Sequence, residues 1–102
     1  MLFGFEEIKK MVNGKEMREH GIYFLKFRKG ETEKWCHAMI DQIEKETITC
    51  RTSASAEPMK IRHCNILKFE TNVPFAREVL RRLSEGNILD AKEIGEAGNV
   101  KA

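Results

Sequence analysis

Ile22-Tyr23-Phe24-Leu25-Lys26-Phe27-Arg28, closed by Lys29-Gly30, decides how the rest of the chain is read. Five of these seven residues are aromatic or aliphatic, the composition favoured on a pleated, half-buried strand, and the Lys-Gly pair ends it. Its two alternating phases are Tyr23, Leu25, Phe27 and Ile22, Phe24, Lys26, Arg28, so apolar side chains fall on both sides. Both faces therefore need cover. Downstream, Cys36, Ala38 and Ile40 share one phase, and Ile43 rejoins them only if a bulge slips the register near Asp41-Gln42. A polar turn at Glu44-Lys45-Glu46 leads into residues 47–52, where Ile48 and Cys50 alternate with Thr47, Thr49 and Arg51, which predicts a hairpin with the preceding strand.

Further on, Ser53-Ala54-Ser55-Ala56-Glu57-Pro58 reads as a loop of small residues. Residues 59–62 form a strand, His63-Cys64-Asn65 a tight or 3₁₀ turn, and residues 66–70 a last strand. Several of these pieces resemble small SH3-like or Sm-like barrels, in which a bent second strand leads through a short turn into a third. They are Ala38-Met39-Ile40-Asp41-Gln42-Ile43, then Thr47-Ile48-Thr49-Cys50, then Ile61-Arg62 turning into Ile66-Leu67-Lys68-Phe69.

Helical patterns flank this region. Phe5, Ile8, Met11 and Val12 recur at helical spacing, Glu6, Glu7, Lys9 and Lys10 fill the other face, and Asn13-Gly14 supplies a stop, predicting a helix over 3–13. Asn72 or Thr71 caps a second helix over 73–85, with Pro74 in its first turn and Phe75, Ala76, Val79, Leu80 and Leu83 as its apolar stripe. The expected fold is α+β: a small antiparallel SH3-like or Sm-like β-barrel, or a curled sheet, of about five strands within 22–70, flanked by an N-terminal and a C-terminal helix. Residues 1–86 are read as one domain. Residues 87–102 are read as a C-terminal extension, either flexible or folded into a short helix or swapped strand.

Composition narrows the function. With 18 Lys and Arg against 16 Asp and Glu, the net charge of +2 does not by itself imply nucleic-acid binding, so any cationic surface must arise by local segregation. No apolar run approaches a membrane span, and the opening residues lack the basic-then-apolar order of a signal peptide, so a cytoplasmic protein with no membrane partner is expected. Three cysteines, an odd number without an export signal, point to free thiols.

Cys36, His37, Cys50, His63 and Cys64 are the residue types of a zinc site, yet no Cys-x-x-Cys or His-x₃-His spacing occurs, and neighbours on a regular strand face opposite ways. Cys64 beside His63 is the sole local candidate for an activated thiol. Glu6 with Glu7 and Glu44 with Glu46 are explained as solvated charge, and the scattered glycines form no phosphate loop. No catalytic residue, metal ligand or cofactor is assigned. If Ile48, Cys50 and Ile61 point inward, then Arg51, Lys60 and Arg62 point outward, and Lys26 and Arg28 extend the same face. These five residues are the expected site for an anionic ligand, a nucleic acid or nucleotide. Ile22, Phe24, Trp35, His37 and Met39 put more apolar surface on that face than one interior needs, so either a helix or a protein partner, including a second copy in a homo-oligomer, covers them. The function expected is therefore a non-enzymatic binding or regulatory module for an anionic ligand. The alternatives are a protein-interaction module or inhibitor acting through Trp35, and a zinc- or thiol-dependent enzyme.

Overall fold

The computed structural model describes residues 9–98. Its seven strands are β1 (Lys9–Val12), β2 (Lys15–Arg18), β3 (Ile22–Lys29), β4 (Thr32–Ile43), β5 (Thr47–Thr52), β6 (Met59–Arg62) and β7 (Ile66–Glu70); two helices follow, α1 (Val73–Ser84) and α2 (Ala91–Ala97). A 3₁₀ turn, His63–Asn65, joins β6 to β7. Strands β3 to β7 form a single five-stranded antiparallel sheet in the order β6-β5-β4-β3-β7. The sheet does not close into a barrel: β6 and β7 are its two edges, and no ladder joins them.

The predicted bulge is present. Ile40 pairs with Cys50 and Gln42 with Thr49, leaving Asp41 as the extra residue, so Ile40 and Ile43 both reach the same core. That core lies on the inner face, where Tyr23, Leu25, Phe27, Cys36, Ala38, Ile40, Ile48, Cys50 and Ile61 alternate inward and are joined by Ile66 and Phe69. A second core lies on the outer face, where Ile22 and Met39 meet Phe75, Val79, Leu89, Ile94 and Ala97.

The helix expected over 3–13 is not what residues 9–12 form. They are β1, paired with β2 as a separate two-stranded ladder; residues 3–8 of that expectation lie outside the described residues. The Asn13-Gly14 pair explains the difference. Both residues take positive φ, 49° and 82°, the two-residue hairpin turn whose twist matches its strands, so a signal legible as a helix stop serves as a strand reversal. Val12 and Met17, one from each strand, are fully buried in the inner core, and the hairpin is tied down by Lys10 Nζ donating to the Ile43 carbonyl and Ile43 N–H donating to Glu19.

Helix α1 begins as expected. The Asn72 side chain accepts from the Phe75 N–H at 3.0 Å, and Pro74 sits in the first turn, where no donor is lost. Beyond it the chain does not trail away: Asp90 caps α2, and Leu89, Ala91, Ile94 and Ala97 are buried. The tail read as an extension is, through residue 98, the second cover of the outer face, while residues 99–102 lie outside the described residues. The closeness of α2 has a sequence cause, since a Cβ at Gly98 would meet the His37 ring at 2.4 Å.

Candidate functional site

The outer face is laid out by pairing. Ile22, Phe24, Lys26 and Arg28 of β3 stand opposite Met39, His37, Trp35 and Glu33 of β4; on β7, Glu70 and Lys68 stand opposite Phe24 and Lys26. On the other flank Arg51 is opposite Met39, while Lys60 and Arg62 face Thr49 and Thr47. All five cations expected to bind an anion thus share one strand phase, yet the structure divides them into different environments.

Arg51 is tied up inside the molecule. Its guanidinium holds Asp41 at 3.0 Å, donates to the Leu89 carbonyl at 2.7 Å and touches Met39 Sδ, and both members of the ion pair are mostly covered. It fastens the segment before α2 to the bulge of β4, and no free donor fork remains for a ligand. Lys26 and Arg28 both reach Glu33, at 3.1 and 3.8 Å, through exposed or half-exposed pairs that salt and solvent weaken.

Lys60 and Arg62 sit elsewhere, on a groove of about 390 Å³ between the β3–β4 turn and β6. Its lining consists of Phe27, Met59 and Ile61 from the inner-face phase, Arg28 and Lys29 at the end of β3, the turn residue Gly30, Lys60, Arg62, and Asn65 of the 3₁₀ turn. Four cations meet here and no carboxylate is among the lining residues. Lys60 has one exposed partner outside the groove, Glu44 at 3.5 Å. The juxtaposition brings three expected residues, Arg28, Lys60 and Arg62, to one place and leaves Lys26 and Arg51 out. Lys29 and Asn65 were missed because each reads locally as turn chemistry; only the fold carries the end of β3 and the start of β7 to the side of β6.

The apolar residues of this face also separate. Ile22 and Met39 are 8% and 9% exposed beneath the helices and belong to the second core. His37 lies between Phe24 and Phe75, both ring centroids 4.7 Å away with their planes tilted by 32° and 58°, and burial pulls its pKa below the ordinary value. Phe24 in turn stacks on Trp35, with centroids 4.6 Å apart and planes 14° from parallel. The ladder Phe75-His37-Phe24-Trp35 therefore runs from under α1 out to solvent, where Trp35 remains 43% exposed with Lys26 Nζ over its ring at 5.8 Å.

The thiols are not gathered into a reactive site. Cys36 and Cys50 are buried on the inner face, and desolvation pushes them up to about 11 and about 12, which keeps them protonated and unreactive at neutral pH. Cys64 is exposed, but the neighbouring His63 ring faces the Thr47 carbonyl at 3.2 Å. His37 lies on the outer face, away from Cys36, and among the described residues no three His, Cys, Asp or Glu side chains converge as metal ligands. No helix among the described residues is long and apolar enough to cross a membrane. Comparison with known proteins finds no matching family model, and no curated protein or solved structure that matches the chain.

Proposed function

We propose that this chain is a cytoplasmic, non-enzymatic binding module that recognises an anionic ligand, a nucleic acid or nucleotide, through the cationic groove at Arg28, Lys29, Lys60 and Arg62. The observation that carries this reading is the meeting of four basic residues from two separate strands, β3 and β6, around one cavity whose lining holds no acid. Net charge is too small to hold such residues together by composition alone; the fold concentrates them. The apolar floor lowers the local dielectric, so each cation acts more strongly on a bound phosphate than it does in open solvent. Recognition by surface, with no bond made or broken, also agrees with the two buried thiols being held protonated.

The frame is read as a relative of the small SH3-like and Sm-like barrels, opened at one seam. The strand order β6-β5-β4-β3-β7, the bulge at Asp41 in the long second strand of the sheet, and the 3₁₀ turn before the last strand support that reading.

The test is binding of inorganic polyphosphate and of a single-stranded oligonucleotide at several salt concentrations. Four phosphate contacts to a single strand predict a slope of about −3 in log K against log salt, roughly 50-fold between 50 and 200 mM. A Lys29→Glu, Arg62→Glu double variant should abolish retention of both probes. Binding that ignores salt, or survives that double charge reversal, rules the groove out.

A further inference from the structure

Trp35 is the chain's single tryptophan, large, flat and left 43% exposed, while Phe24 beside it is half-buried and Phe75 is fully buried. Its ring is not loose. Phe24 stacks on it at 4.6 Å, and Phe24 is itself backed by His37, which Phe75 of α1 backs in turn, so the platform is braced from the helix–sheet core outward. The neighbours at its exposed end are charged: Lys26 directly opposite on β3, Lys68 opposite Lys26 on β7, and Glu33 and Glu70 pairing with those lysines at 3.1 and 3.8 Å. A protein-protein anchor prefers an apolar, desolvated surround. A braced ring beside lysines held only in solvent-accessible ion pairs is instead an arrangement on which an unpaired base stacks while cations follow its phosphates.

Arg28 links this platform to the groove. It lines the groove, and it lies two residues along β3 from Lys26, on the same face, a separation of about 7 Å. Resting on the reading of the groove as an anion site, we infer that the ligand is single-stranded nucleic acid, one base of which stacks on Trp35 while its backbone runs past Lys26 and Arg28 into the groove. A duplex does not meet this geometry, because its bases are already stacked on one another. Lys26 stands over the ring in the free protein; a base supplies a larger stacking contact than an exposed ammonium does and releases the lysine to a phosphate.

The full chain is titrated with a thymidine oligomer of twelve nucleotides, an abasic oligomer of the same length, and inorganic polyphosphate, with the fluorescence of Trp35 as one readout and retained ligand as the other. The thymidine oligomer should quench the fluorescence and bind on the order of 10-fold more tightly than the abasic one. Trp35→Ala should lose that factor for the thymidine oligomer and leave polyphosphate unchanged, and Trp35→Phe should restore most of it. Equal binding of the two oligomers without quenching overturns the inference while the groove stands. Failure of all three probes to bind removes the anion-site reading and this inference with it. If Trp35→Ala instead splits a dimer in sedimentation and leaves oligomer binding intact, the ring faces another copy of the chain and the inference falls.

Discussion

The two ends of the outer sheet face are built from the same alternation and meet different fates. At one end Ile22, Met39, His37 and Arg51 lie under α1 and α2; at the other, four residues along β3 from Ile22, Lys26 and Trp35 meet solvent. Strand phase assigns a side chain to a face, but only the layer above decides whether a cation there is a fastener or a ligand contact. Arg51 and Arg62 make the contrast within two adjacent strands, since both point outward and only Arg51 has a carboxylate and a carbonyl to hold.

The covered end should fail first when its cover is undercut. Phe75 is fully buried, fills the second core and closes the aromatic ladder against His37. Phe75→Ala should cost about 3–5 kcal/mol in urea unfolding, the usual range for emptying such a site. An effect below about 1 kcal/mol would mean that α1 is not what shields this half of the face. Arg51→Gln comes next. It leaves Asp41 without its cation and the Leu89 carbonyl without a charged donor, a loss of about 2 kcal/mol given that the pair keeps some contact with water.

A pH dependence sharpens the same boundary. Burial lowers the pKa of His37 from its ordinary 6.5, so the unfolded chain takes up a proton in a range where the folded chain does not. The contribution is complete above pH 6.5 and is lost as pH falls below it, so stability should decline on acidification in that range. Replacing His37 with Asn should remove that part of the slope whatever it does to the plateau. Identical slopes from denaturant midpoints between wild type and variant would show that the ring titrates freely and is not held by the stack.

Much of this fold was legible in the sequence. The places of the five sheet strands, the bulge at Asp41, the 3₁₀ turn at residues 63–65 and the capped helix after Asn72 follow from local signals that do not depend on what lies overhead, although β4 begins at Thr32, ahead of the alternation that starts at Trp35. The opening hairpin was not legible, because Asn-Gly ends a helix and reverses a strand with equal ease, and Met11 and Val12 fit a helical stripe as well as a short ladder. Nor was the role of α2: Leu89, Ile94 and Ala97 are sparse among charges, and the glycine at 98 that lets the helix close on His37 looks like disorder in one dimension. Without the position of α2, a helix and a protein partner stood as alternative covers for Ile22 and Met39, and strand phase alone placed Arg51 with the outward-facing cations. The groove was half legible, because strand phase supplies Arg28, Lys60 and Arg62, while Lys29 ends β3 in the opposite phase and Asn65 comes from a turn, and only the tertiary fold brings these two beside β6.

The smallest expected change in stability belongs to the open end, and it is the one that separates a fastener from a contact. Arg62 is exposed, lines the groove, and has no ion-pair partner among the described residues, so Arg62→Gln should shift unfolding by less than about 0.5 kcal/mol. Its effect should appear only with a polyanion present, where the salt slope for a single strand should shrink by about 0.7, the share of one phosphate contact. Arg51→Gln should show the reverse pattern, a loss of stability with an unchanged salt slope once both proteins are folded. If the two variants behave alike, either in the denaturant or in the titration, then the layer of α1 and α2 does not divide the outer face into structural and binding halves, and Arg51 belongs back with the cations that meet the ligand.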